Sequence, residues 1–81
     1  MTPYDVEAYW QRRKDTVVAV MRALEREDNL YPTTTEIADR CPNMARKSVR
    51  NVLVRLEYEG LVADLGPATS GLGPPNNWEL Y

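Results

Sequence analysis

The sequence predicts a mostly α-helical domain closed by a small two-stranded β-hairpin, and three observations carry that expectation. Apolar residues recur at helical spacing in two stretches before Gly60. Between them Thr33-Thr34-Thr35-Glu36 forms the S/T-x-x-E capping box that opens a helix. After Gly60 the apolar period falls to two, the repeat of a strand. A chain of 81 residues has surface enough for one core only, because so short a chain buries about 60 to 65% of what it exposes when unfolded. Residues 1–81 are therefore expected to form a single domain.

The first helix starts at Thr2-Pro3-Tyr4-Asp5: Thr2 can cap, Pro3 suits the first helical position, and Asp5 favours the positive end of the dipole. It runs to about Glu27. Val6, Trp10, Val17, Val20, Met21 and Leu24 fall on one face at 100° per residue, and Arg13 and Lys14 interrupt that stripe. Residues 16–27 are thus expected to pack the core. Residues 1–14 are expected to form a helical extension that overhangs it, with a kink near Lys14 to Thr16 as the alternative.

Asp28-Asn29 and Pro32 close this helix, and the capping box opens a short second one whose inner face is Ile37, Ala38 and Cys41. Pro42-Asn43 ends it. Asn43 then caps a third helix, residues 44–59, on which Val49, Val52, Leu53 and Leu56 form the buried stripe and Gly60 the stop. Lys47, Asn51, Val54 and Tyr58 point away from that stripe. Arg50 lies beside them, and Arg46 sits on a flank near the core.

Two strands follow. Leu61, Ala63 and Leu65 alternate with Val62 and Asp64, and Trp78 and Leu80 alternate with Asn77, Glu79 and Tyr81. Residues 66–77 between them hold three of the chain's 4 glycines and three of its 6 prolines, the composition of a long irregular loop.

Charge is distributed unevenly along this plan. The chain carries a net −2, yet Arg40 to Leu56 holds Arg40, Arg46, Lys47, Arg50 and Arg55 and no acid. That segment is +5, leaving five of the 10 basic groups against all 12 acidic ones elsewhere, or −7. Such segregation points to a surface that meets something anionic. Other functions are excluded by composition: without histidine, and with Cys41 alone, there is no zinc site of the usual ligands, no intramolecular disulfide and no histidine-activated nucleophile. The acids are scattered along helix faces, where they are solvated. No enzyme activity, metal or cofactor is expected. No apolar run approaches the roughly 18 residues of a membrane span, and the polar N-terminus lacks the pattern of a secretory signal. A cytoplasmic address is expected.

The order of helix, capped short helix, turn, basic helix ending in Gly and two-stranded hairpin resembles the winged helix-turn-helix family. Thr-x-x-Glu-Ile-Ala at Thr33 to Ala38 is similar to the opening of that family's first motif helix. Ser48-Val49 with Leu53, Leu56-Glu57 and Gly60-Leu61-Val62 is similar to its recognition helix running into the wing. Small MarR-like and phage-repressor-like regulators are the nearest comparison, over about residues 16–81. Two departures stand out: the turn carries Pro42-Asn43 where the family usually has one glycine, and residues 66–77 contain no Lys or Arg where wings commonly have a basic tip.

The resemblance implies sequence-specific binding of double-stranded DNA by a transcription regulator, with the third helix in the major groove, about 12 Å wide. Arg46, Lys47, Arg50 and Asn51 are the expected base readers, since Arg and Lys donate to guanine and Asn pairs with adenine. Ser48 and Thr34 are expected to donate to phosphate, and Arg40 and Arg55 to contact phosphate or form salt bridges. Tyr4, Val6, Tyr9 and Trp10 offer an aromatic surface for a homodimer, or else pack on Trp78, Leu80 or Tyr81 of their own chain. Alternatives of other classes are a protein-interaction module acting on the transcription machinery, favoured by outward Val54 and Tyr58, and an architectural factor in phage or plasmid recombination or replication.

Overall fold

A computed structural model describes residues 3–67 and 76–81. In chain order its elements are α1 (Pro3–Arg26), α2 (Thr34–Asp39), α3 (Arg46–Tyr58), β1 (Val62–Pro67) and β2 (Asn76–Leu80), with the strands antiparallel. This is a winged helix-turn-helix fold. Three helices enclose Val17, Met21, Leu24, Ile37, Val49, Val52, Leu53 and Leu56, and the hairpin closes the core with Val62 and Trp78.

Helix α1 is one uninterrupted helix from Pro3 to Arg26, so Arg13 and Lys14 do not interrupt its hydrogen bonding. Lys14 does not break its apolar stripe either. The Lys14 side chain, 16% exposed, lays its ammonium against Glu59 at 2.9 Å, so the stem covers apolar surface while the charge finds a partner at the end of α3. The extension is consequently attached to α3 at Lys14 and at Trp10, which packs against the core, while Val6 and Tyr9 stay exposed. The Thr2 cap lies outside the described residues.

Both long helices end in the same way. Asn29 N donates to Leu24 O and Asp28 N to Glu25 O after α1; Leu61 N donates to Leu56 O and Gly60 N to Glu57 O after α3. These paired bonds require the residue just past the helix to enter the left-handed region. Gly60 does so at φ 80, and Asp28 at φ 67. At the start of α2 the expected capping box is complete: Thr33 Oγ1 accepts from Glu36 N and Glu36 Oε1 accepts from Thr33 N.

The start of α3 differs from expectation. Asn43 does not cap it; Asn43 adopts φ 62, taking the left-handed position in the turn, and α3 begins at Arg46 after Ala45, whose side chain makes no capping bond. An Asn tolerates that conformation better than most residues, so it serves where a glycine is usual. The shift leaves the four proposed readers inside the first two turns of α3.

In the hairpin the buried residue of β1 is Val62, whereas Leu61 and Leu65 are exposed. The inward phase of β1 is thus the opposite of the Leu61-Ala63-Leu65 set, because Val62 pairs with Leu80 and shares its face of the sheet. Trp78 and Leu80 point inward as their alternation predicts. Each strand also runs two residues into the expected 66–77 loop, with Pro67 opposite Asn76 past an irregularity that Gly66 allows at φ 87. Residues 68–75 lie outside the described residues.

On the other side of β2, Trp78 N donates to Pro32 O and Thr33 bridges Asn77. Strand β1 is left as the outer strand. Its outward amides are not bare: Asp64 N donates to Glu57 Oε2 and Gly66 N to Asp64 Oδ1, which blunts an edge that would otherwise pair with another chain.

Candidate nucleic-acid interface

The geometry of α3 follows from its burial pattern. Val49, Val52, Leu53 and Leu56 are wholly buried, so the opposite side must carry Lys47, Asn51, Val54 and Tyr58, and all four are exposed. Arg46 and Arg50 are exposed on one flank of that ridge. From Arg46 to Asn51 the axis advances about 7.5 Å, so four polar readers are concentrated on a short length of helix.

The ten basic residues divide by partner. Arg40 is committed to Glu27 through a bidentate pair, with Nη2 2.6 Å from Oε1 and Nη1 on Oε2. That pair holds the Glu27 carboxyl below its ordinary range, chiefly through the Arg40 hydrogen bond, with burial opposing and the Arg40 charge adding. Of the two roles expected of Arg40, the salt bridge is the one the structure contains. A carboxyl depressed on folding stabilises the fold above its unfolded pKa, and that contribution disappears as pH falls through the folded value. Arg40→Gln is therefore expected to show a smaller acid-side fall in Tm than the parent chain, measured by thermal melts at stepped pH and low salt; equal profiles would show the pair to be thermodynamically idle.

Arg55 lies over the Trp10 ring, 4.6 Å from its centroid, with Nε 4.0 Å from Glu59. Arg46 reaches only the Thr35 hydroxyl, at 3.4 Å, not Glu36 or Asp39. Lys47 and Arg50 make no ion pair among the described residues, nor does Arg46. Three unneutralised cations thus sit at the start of α3, with Asn51 beside them. Ser48 is half-buried on the same turns.

Thr34 is corrected. It is 3% exposed, and its hydroxyl accepts a hydrogen bond from the Trp78 indole at 2.8 Å, so it faces the core and offers nothing to a phosphate. The reason is positional: as the first residue of α2 it turns toward β2, and a buried indole N–H requires an acceptor. Cys41 is buried, and burial pushes its thiol pKa up, the behaviour of an inert core residue.

The expected dimer surface is altered as well. Trp10 is drawn onto its own chain, against the core and beneath Arg55 of α3. Tyr9 meets Trp10 edge to face at 5.8 Å and lies under Arg13 at 4.3 Å. Val6 and part of Tyr9 stay open to solvent, and the Tyr4 side chain lies outside the described residues. The Lys14 contact was not legible in the sequence, since Lys14 and Glu59 are 45 residues apart and no local pattern joins them, whereas Arg13 over Tyr9 is an i, i+4 pair that helical spacing offered. The position of Lys14 within the apolar stripe was the available signal.

Among the described residues no helix is long and apolar enough to cross a membrane. No family model matches the chain, and no curated protein matches it. A solved structure with a similar fold is a peroxide stress regulator from Campylobacter jejuni, at TM-score 0.62 and 19% sequence identity, the match covering 100% of this chain and 59% of that one. The likeness establishes the fold, and this chain spans little more than half the regulator's length.

Proposed function

We propose that this chain binds double-stranded DNA sequence-specifically as the DNA-binding part of a transcription regulator, placing the first two turns of α3 in the major groove. One observation carries the reading: Arg46, Lys47 and Arg50 are exposed, free of acidic partners among the described residues, and gathered with Asn51 on the outer side of a helix whose other side is core. Unpaired cations crowded on one helix repel each other, and phosphate relieves that repulsion while guanine edges accept hydrogen bonds from them. The fold shared with the peroxide stress regulator supports the same reading. No catalytic role is proposed.

Selection of bound fragments from random duplex DNA at two salt concentrations tests it. A consensus is the expected result. Salt-sensitive binding without consensus would make the chain an architectural factor, and no binding would abolish the reading.

Dimerisation is proposed in a narrower form than Tyr4, Val6, Tyr9 and Trp10 together suggest, with Val6 and the open part of Tyr9 as contact. A consensus with two half-sites and a dimer mass by light scattering are expected; a strict monomer at tens of micromolar would reduce the target to a single half-site. A second reading, docking on a protein of the transcription machinery, is favoured by Val54 at 44% and Tyr58 at 91% exposure on the outer side of α3.

A further inference from the structure

A helix lying in the major groove has a phosphate wall on each side, and the two flanks of α3 differ sharply. Arg50 and Glu57, seven residues apart, share one flank, and beyond it stands the hairpin, where Glu57 accepts from Asp64 N. From Leu56 to Tyr81 the sequence holds four acids and no Lys or Arg. That side has no cation of its own beyond Arg46 and Arg50.

The other flank belongs to Asn51 and Arg55, four residues apart, and α1 runs along it. There Trp10 closes a shallow cleft with Asn51, Val54, Arg55, Tyr58 and Glu59. The Arg55 guanidinium lies 4.6 Å from the Trp10 ring centre, the Arg13 guanidinium 4.3 Å from that of Tyr9, and the two rings meet edge to face at 85°. Arg13, Tyr9, Trp10 and Arg55 form one continuous ladder from α1 to α3.

We propose that Arg13 and Arg55 are phosphate contacts flanking the reading face of α3 on its α1 side, and that Tyr9 and Trp10 are their positioning residues. This rests on the DNA-binding reading above. A guanidinium stacked on an aromatic ring keeps its N–H groups in the plane, free at the edges to donate to an anion. Stacking also removes rotamers that would otherwise be lost on binding. Arg13 has no ion pair among the described residues. The acid nearest Arg55, Glu59, is held closer by Lys14, at 2.9 Å against 4.0 Å, so Arg55 keeps most of its charge for an outside partner. The N-terminal part of α1 thereby supplies the cationic flank that the hairpin does not.

Fluorescence anisotropy of a mixed-sequence DNA duplex, titrated at stepped salt, tests the proposal. Arg13→Ala is expected to weaken binding by a similar factor on every sequence and to flatten the plot of log affinity against log salt by about 0.9, the loss of one contact. Arg13→Lys keeps most of the slope. Tyr9→Leu loses part of it and Tyr9→Phe, which retains the ring, loses none, while Tm and the light-scattering mass are unchanged in all four, so that the loss is not that of a dimer contact at Tyr9. An unchanged slope in Arg13→Ala, or conversion of a dimer to a monomer by that substitution, overturns the proposal while Lys47→Ala still weakens binding. If the parent chain binds no duplex, or Lys47→Ala with Arg50→Ala leaves affinity intact, the DNA reading itself falls and takes this flank with it.

Discussion

Trp78→Ala is expected to lower the free energy of unfolding by about 3 to 5 kcal/mol, the range for emptying a core site of a large aromatic. Small domains have about 5 to 15 kcal/mol in all, so the loss is a large share of the whole and Tm should fall steeply. Trp78 is wholly buried and joins three parts of the chain: its ring sits in the core, its Nε1 donates to Thr34 at the head of α2, and its backbone N donates to Pro32 O. Trp78→Phe separates the terms. It keeps an aromatic ring but leaves the buried Thr34 hydroxyl without its donor, for an added cost of about 1 to 3 kcal/mol. Urea unfolding followed by circular dichroism measures both; a loss under about 1 kcal/mol for Trp78→Ala would mean that the hairpin is not part of the cooperative core.

The positions where sequence and structure agree are those governed by local rules. The Thr33-Glu36 capping box, the Gly60 stop and the Val49-Val52-Leu53-Leu56 stripe are decided within one or two helical turns, and each forms as its residues predict. Long-range partners were not legible. Nothing in the local sequence joins Trp78 to Thr34, 44 residues away, and an N-terminal Thr of a short helix reads equally well as a phosphate donor until a buried indole claims its oxygen.

The phase of β1 was not legible for a related reason. Leu61 is the more apolar start of an alternating run, yet its amide is used to finish the cap of α3 on Leu56 O, and only the next residue, Val62, enters the sheet facing inward. In the candidate interface the sequence identified the cationic segment but not which of its members were free. Arg40 looks like Arg46 and Arg50 in one dimension; Glu27, just past the end of α1, takes it out of their number, while Trp10 on α1 positions Arg55.

That sorting sets the expected effects on DNA binding. Each good bidentate base contact contributes about 1 to 3 kcal/mol of discrimination, so Arg50→Ala alone should cost about that much on the selected sequence, and the double variant with Lys47→Ala more. Both side chains are exposed and lack partners among the described residues, so Tm should not move, and the loss in affinity would report the interface alone. The two should differ in kind if Arg50 reads a base and Lys47 a phosphate: Arg50→Ala would relax the consensus at one position, whereas Lys47→Ala would weaken all sequences alike and reduce the salt slope. Tyr58→Ala supplies the opposing measurement. Tyr58 lies three turns along α3 from Arg46 and is 91% exposed, beyond the turns assigned to base reading, so its removal should leave DNA affinity unchanged. If Tyr58→Ala abolished function in cells while the Lys47 and Arg50 variants did not, the outer side of α3 would be a protein-docking surface, and its cations would serve an acidic partner instead of DNA.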